Sequence, residues 1–391
     1  MTLAFLIYQY FPYGGQQRDF MKIALRCCEA GYQVRVYCLT WEGEVPPQFE
    51  LHIVPVRAMS RHGLYQKYHN WVTKALQHSA VDAVIGFSKM PGLDVYFAAD
   101  PCFAERMRRE SRPWLRWLPR YRHFLKYEQA VFHDSGTQVL ILSPQQKQDF
   151  VQHYPGAAPR LHMLPPGLSA DRRPGADVTQ RRKMFRAEMQ LTDDNLAVIQ
   201  VGSGFRIKGV DRSIRAIAAL PGDLRARVRF LIVGDDKPER YQRLAKQLGV
   251  LDRISFLGAR DDVPDILAGA DLMLHPAYQE SAGYTLLEGI INGLPVLTTD
   301  TCGYAFHVEQ AGAGQVCTSP FDQTDLNARL QAMLSSNERA RWSENGLAYG
   351  VDVNIDGMAD AALQIIERVA GKTSPGFDAV SGAPSVENRR R

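Results

Sequence analysis

Short apolar runs alternate with stretches of helical periodicity along almost the whole chain. In the first half the runs fall at Leu3–Tyr8, Gln33–Leu39, Leu51–Val54, Ala83–Phe87, Val95–Ala99, Gln138–Leu142 and Arg160–Leu164. In the second they fall at Ala197–Val201, Arg229–Val233, Ile254–Leu257, Asp271–Leu274 and Val296–Thr298. A strand that is apolar at consecutive positions is covered on both faces, which is the signature of a parallel sheet between helices. The intervening segments, such as Gln16–Ala30 and Leu64–Gln77, carry apolar residues at helical spacing. This alternation predicts an α/β protein with two doubly wound, Rossmann-like sheets. The stiff, poorly helical Leu164-Pro165-Pro166-Gly167 separates them. We therefore expect a first domain over 1–166, a second over 167–354 and a last helix over 355–370. Residues 371–391, rich in Gly, Ser and Pro and ending in three arginines, read as disordered.

Composition narrows the class. A chain of 391 residues with 45% hydrophobic and 23% charged positions suits two ordinary globular domains. No apolar run approaches the roughly 18 to 20 residues of a membrane span. Met1–Tyr8 lacks a basic flank and a small-residue cleavage site, and reads as a first strand and not a signal peptide. Six cysteines without a Cys-x-x-Cys pair predict reduced thiols in a cytoplasmic protein. The net charge of +4 is unevenly spread, because Glu105–Glu128 holds eight basic residues against three acids. Arg116, Trp117, Arg120 and Arg122 lie in that segment, interleaved with aromatic residues and broken at Pro113 and Pro119. Such a composition suits a segment on anionic lipid, a plain helix pair with a core stripe, or single-stranded nucleic acid. No nucleic-acid motif accompanies it, and the expectation taken here is a membrane surface, with no nucleic acid.

The candidate chemistry lies at strand ends. From His275 to Leu294 the chain reads as strand end, loop and helix, with Glu280 in the loop, Glu288 one to two turns into the helix and Asn292-Gly293 as the stop. Free backbone N–H groups at the helix start, after Ala282-Gly283, favour a phosphate, and the two acids near the same mouth favour hydroxyls. A nucleotide sugar has both. Gly14-Gly15, between the first strand and helix, lets backbone approach a ligand closely. Arg206 and Lys208, in the first strand-to-helix loop of the second half, can clamp a diphosphate. Gly202-Ser-Gly204 lacks the third glycine of a dinucleotide fingerprint, which weakens an oxidoreductase reading. The chain has no Asp-x-Asp, so neither a metal nor a cofactor is expected.

Glu280 and Glu288, eight residues apart around Ser281-Ala282-Gly283, resemble the paired glutamates of retaining glycosyltransferases of the GT-B type, with two facing Rossmann-like domains. Gly14-Gly15-Gln16-Gln17-Arg18-Asp19-Phe20 and Lys89–Asp100 are similar to the hexosyltransferases that act on the second heptose of the lipopolysaccharide inner core. The resemblance implies transfer of a hexose from a UDP-sugar, UDP-glucose being favoured and UDP-N-acetylgalactosamine possible, to that heptose, with retention at the anomeric carbon. It implies that Glu280 faces the hexose, that Glu288 faces the ribose, and that Asp19 and Asp100 lie on the acceptor side. Asp100, Glu280 and Lys208 then form the catalytic set; Gly14, Gly15, Arg206, Ala282 and Gly283 join the two glutamates and Lys208 in donor binding. The acceptor would be met at the anionic inner face of the inner membrane. A nucleotide-sugar epimerase of the same architecture is the alternative.

Overall fold

Side chains of the first strand divide strictly between two layers: Leu3, Phe5 and Ile7 enter one apolar cluster, and Ala4, Leu6 and Tyr8 enter another. This is the period of two expected for a strand buried on both faces. A computed structural model gives the architecture for residues 1–371, except 13, 111, 134–135, 170–171 and 176. The expected tail, apart from Gly371, lies outside the described residues. In the first lobe β1 (Thr2–Leu6), β2 (Gln33–Cys38), β3 (Phe49–Ile53), β4 (Ala83–Gly86), β5 (Val95–Phe97), β6 (Gln138–Ile141) and β7 (Leu161–Met163) pair in the order β3-β2-β1-β4-β5-β6-β7. In the second lobe β8 (Leu196–Val201), β9 (Val228–Val233), β10 (Ile254–Gly258), β11 (Leu272–His275), β12 (Val296–Thr299) and β13 (Gly314–Cys317) pair in the order β10-β9-β8-β11-β12-β13. All these pairings are parallel. The α/β class and the two doubly wound sheets are as the patterning predicts.

Seven helices bear on the site: α1 (Gly15–Glu29), α2 (Arg61–His78), α3 (Phe103–Arg109), α4 (Pro119–Phe132), α5 (Val210–Ala218), α6 (Tyr284–Ile291) and α7 (Met358–Val369). The stop of α6 is where the sequence placed it. Gly293 takes φ +70°, and the Leu294 N–H closes back on the Gly289 carbonyl at 2.9 Å, a C-terminal cap that satisfies an otherwise free helix carbonyl. The strand β13 was not expected, because Gly314-Gln-Val-Cys offers too short an apolar run to register.

The last helix returns to the first lobe. Met358, Ala362, Leu363 and Ile366 are buried in the same cluster as Leu3, Phe5, Phe20 and Ile23. Leu164 and Leu168, on the outgoing crossing, belong to that cluster too. The two crossings touch, since the Leu168 N–H donates to the Ile355 carbonyl at 2.7 Å. Lys22 Nζ of α1 reaches the Gly167 carbonyl and, at 3.1 Å, Ser169 Oγ, tying the outgoing crossing to the first lobe.

Candidate active site

In an open parallel sheet, ligands sit beyond the carboxyl ends of the strands where the winding direction changes. In the second lobe that place lies between β8 and β11, which are neighbours whose following loops are 202–209 and 276–283. The loops touch: Gly209 has φ +72°, and a Cβ there would lie 2.1 Å from the Pro276 carbonyl oxygen, so only glycine fits. Lys208 precedes it, and its ammonium forms an ion pair with Glu280 Oε1 across the crevice. The other carboxylate oxygen lies 2.8 Å from His275 Nε2 and 3.4 Å from Cys302 Sγ. A carboxylate only accepts, so His275 must carry its proton on Nε2 when neutral.

The electrostatics follow from these contacts. Burial pushes the Glu280 carboxyl up, but the Lys208 charge and the His275 hydrogen bond outweigh it and hold the group well below the usual carboxylate range. His275 is fully buried, and burial depresses its pKa against the pull of Glu280. The Cys302 thiol is pushed far up by burial and by Glu280, so it stays protonated and acts as a donor. His275, Glu280 and Cys302 place ligand atoms within 4.8 Å of one another, which makes them the group able to hold a metal among the described residues. The Lys208 ammonium on the same carboxylate opposes a second cation there. Neither His275 nor Cys302 was singled out from the sequence; the position of His275 at the end of a strand was the one available signal.

Gly283 opens α6 at φ +106°, where a Cβ would lie 2.6 Å from Cys302 Sγ. Ala282 beside it is 7% exposed. Arg206 is exposed on the Lys208 loop. Glu288, on the second turn of α6, is 3.7 Å from Arg172 and opens on a cavity of about 260 Å³ shared with Asp19, Lys22 and Tyr284. Glu280 opens on a different hollow of about 120 Å³ with Pro101, Gln146, Asp149 and Thr301. α6 carries Glu288 round to face α1, while Glu280 stays on the loop facing Lys208, so the two acids line different hollows on either side of the helix start. Asp19 of α1 is buried, accepts from the Tyr284 hydroxyl at 3.1 Å, and is raised by burial to about 7. It sits opposite Glu288, away from Asp100.

Asp100 lies instead at the rim of the first lobe's own switch-point cavity, of about 510 Å³, between the loops after β1 and β4. Gly14 is extended and Gly15 begins α1, and the turn sets two glutamines into the cavity wall. Gln16 donates to the Phe87 carbonyl, and Gln17 to the Gln9 carbonyl at 3.1 Å. The glycines themselves do not line the cavity. Lys89 pairs at 2.6 Å with Glu128, which is fully buried and also accepts from the Phe103 and Ala104 N–H groups at the start of α3. The structure thus joins Glu280 to Lys208 but leaves Asp100 on the opposite lobe. The two hollows adjoin at Pro101, which lines both.

The basic segment is not one outward cationic face. Arg108 and Arg109 bind Glu105, and Arg112 binds Glu110. Arg106 and Arg120 line the large cavity of the first lobe. Arg116, Arg122 and Lys126 are exposed, with Trp114 at 57% and Trp117 at 74%. Counting charge along the chain missed that Glu105 and Glu128 are buried acids that organise α3 and α4 from beneath. Among the described residues no helix is long and apolar enough to cross a membrane.

Comparison with known proteins agrees with this architecture. Residues 181–348 match the family described as glycosyl transferases group 1. The lipopolysaccharide glucosyltransferase WaaG of Escherichia coli is 44% identical over 368 residues, covering 94% of this chain and 98% of that protein. A crystal structure of WaaG, described as a glycosyltransferase involved in lipopolysaccharide biosynthesis, superposes with a TM-score of 0.87 at 43% identity, over 93% of this chain and 99% of that one. The Anabaena protein HepE in complex with UDP-glucose shares the fold at a TM-score of 0.70 and 18% identity, over 95% of this chain and 100% of that one. Glucosyltransferase relatives of this kind lend no support to the epimerase alternative. Two facing Rossmann-like lobes, the glutamate-bearing loop beside a helix start and near full-length identity place the chain in the group 1, GT-B glycosyltransferases, among the glucosyltransferases of lipopolysaccharide synthesis.

Proposed function

We propose that the protein transfers glucose from UDP-glucose to a hydroxyl of the second heptose of the lipopolysaccharide core, with retention at the anomeric carbon and without a metal. The observation that carries this reading is the Lys208–Glu280–His275 cluster across the switch point, beside the start of α6. Glu280, ionised and held on two sides, accepts hydrogen bonds from hexose hydroxyls. Lys208 turns from it to the diphosphate, with Arg206 and the α6 N-terminus sharing the charge that develops as the leaving group departs. The anomeric carbon–oxygen bond to phosphate breaks, the bond to the acceptor oxygen forms on the same face, and the acceptor proton passes to the leaving phosphate. Asp100 and the adjoining first-lobe cavity take the acceptor.

Incubation with UDP-glucose and a heptose-terminated core oligosaccharide in EDTA is expected to yield an α-linked glucoside and UDP. Donor turnover without a glycoside would favour epimerisation. Complete inactivation by EDTA, reversed by added metal, would contradict the metal-free reading and turn attention to the His275–Glu280–Cys302 cluster.

Glu288 is assigned to the ribose hydroxyls. A hydrogen bond to a charged group is worth about 1.5 to 3 kcal/mol, so Glu288→Ala should weaken UDP itself by at least about tenfold. Calorimetry checks this; unchanged UDP affinity would remove Glu288 from the nucleotide site.

Arg116 and Arg122, with the exposed Trp117, are proposed to dock the protein on the anionic inner face of the inner membrane, where the acceptor is met. Each basic residue near such a surface contributes about 1 kcal/mol, so replacing both by serine should cut binding to anionic vesicles by about an order of magnitude or more. Cosedimentation equal to the parent protein's would reduce the segment to a structural helix pair.

A further inference from the structure

We infer that the first-lobe cavity is a subsite for an acidic group, a phosphate or carboxylate, carried by the acceptor oligosaccharide, and that Arg61, Arg106 and Arg120 read it. The inference rests on the proposed function for the identity of the acceptor as a sugar, and goes beyond it in naming the charge that the acceptor must bear.

The cavity's charges do not cancel. Its lining holds four cations, Arg61, Lys89, Arg106 and Arg120, and one carboxylate, the exposed Asp100. Lys89 is already neutralised by the buried Glu128. Among the described residues no carboxylate lies within ion-pair distance of Arg61, Arg106 or Arg120, whereas their neighbours Arg108, Arg109 and Arg112 all have one. Arg61 is instead steadied by a bond from Nε to the Tyr65 hydroxyl at 2.7 Å. The three come from separate elements, at the start of α2, within α3 and at the start of α4, and all face one hollow. Planar guanidinium groups gathered in that way suit bidentate capture of an oxyanion.

The walls add a second, independent observation. Tyr8 and Tyr127 line the cavity and are 9% and 2% exposed, yet neither hydroxyl has a partner within the protein. Buried polar atoms are normally satisfied, so two unpartnered hydroxyls enclosed behind one cavity wall leave a hydrogen-bonding capacity there that the protein itself does not meet. The Tyr8 ring is fixed by stacking on Tyr65, centroids 3.6 Å apart. Together with Phe103, Tyr121 and Phe124, these rings form apolar walls that match the hydrophobic faces of sugar rings. A recessed, ring-walled cavity holding about 510 Å³ fits an acidic saccharide better than a flat lipid surface, whose headgroups would meet Arg116 and Arg122 outside.

The test compares a heptose-containing core oligosaccharide that carries phosphate and carboxylate groups with the same oligosaccharide after dephosphorylation and after methyl esterification, all soluble and free of lipid. The parent protein should show a lower KM for the acidic acceptor, and the treated form that loses the preference identifies which anion is read. Arg106→Gln with Arg120→Gln should raise KM for the acidic acceptor about tenfold or more and erase the preference, since loss of about 1.4 kcal/mol is tenfold. UDP-glucose affinity, set in the other lobe, should stay near the parent value, which separates a lost subsite from a misfolded chain. Arg106→Lys with Arg120→Lys, keeping charge without the fork, should recover part of the preference. Equal KM values for acidic and neutralised acceptors in the parent protein would overturn the inference while leaving glucosyl transfer intact. A glutamine variant that loses vesicle binding alone, with unchanged KM for soluble acceptor, would assign these arginines to lipid and overturn it as well. Absence of any transfer by the parent protein from UDP-glucose would instead sink the functional reading on which the subsite depends.

Discussion

Glucosyl transfer by the Glu280→Ala protein is expected to fall by about two to three orders of magnitude, the size of effect seen when one preorganised electrostatic contact is removed from an active site. Two losses combine. The hexose hydroxyls lose their acceptor, and Lys208 and the buried Nε2–H of His275 lose the group that positions them. Glu280→Gln separates charge from shape. Its carbonyl oxygen could still accept from His275, but its amide would turn a donor toward the Lys208 ammonium, so the variant should be impaired nearly as much as the alanine. UDP affinity should change less than about twofold in both, because a contact to the hexose contributes nothing to a ligand that lacks one. A glutamine variant with parental kcat would show that the ionised carboxylate is not needed.

Lys208→Ala should lower kcat by about two orders of magnitude or more while moving KM for UDP-glucose far less, if the ammonium acts chiefly as charge develops on the departing diphosphate. The pH profile gives a second readout. In the parent protein Lys208 and His275 hold Glu280 well below the ordinary carboxylate range, so Glu280 is ionised at every working pH and sets no acid limb. Without the ammonium, His275 alone opposes the burial of Glu280, and that pKa rises. The ionised form is then lost as pH falls, and the residual activity of Lys208→Ala should drop at a higher pH than the parent's. Steady-state rates over a pH series test this. A raised KM with normal kcat would make Lys208 a ground-state binding residue only.

The sheets were legible because a strand covered on both faces writes consecutive apolar residues into the chain; β13, opening on a glycine, wrote too little. Lys208 and Glu280 were legible because both occupy loops at strand ends, the place where such sheets bind ligands. Cys302 was not, since its role arises from a contact with Glu280 that joins the loops after β11 and β12, and His275 was not, since its place at a strand end does not tell that its ring turns back onto Glu280. Likewise, periodicity tells that one face of α7 is apolar but not which lobe will cover it. The resemblance grouped Asp19 and Asp100 on the acceptor side, and only the fold places Asp19 in the hollow beside Glu288 and Asp100 in the large cavity of the first lobe. Charge counting failed in the basic segment for the same reason, because a carboxylate beneath a helix and one in solvent look alike in sequence.

The chain passes between the lobes twice, at 164–168 and again at 353–357, and the Leu168 N–H clasps the Ile355 carbonyl where the passes lie side by side. A lobe hung on one strand of chain can swivel freely; one hung on two adjacent strands, pinned to each other, turns as a door does, about a single axis. Any movement of one leaf against the other would then carry Lys208 and Glu280 past Asp100 along one arc. Removing α7 would take out one of the two pins and strip the apolar bed formed by Phe20, Ile23 and their neighbours, so the remaining lobes would be joined by a tether in place of a hinge.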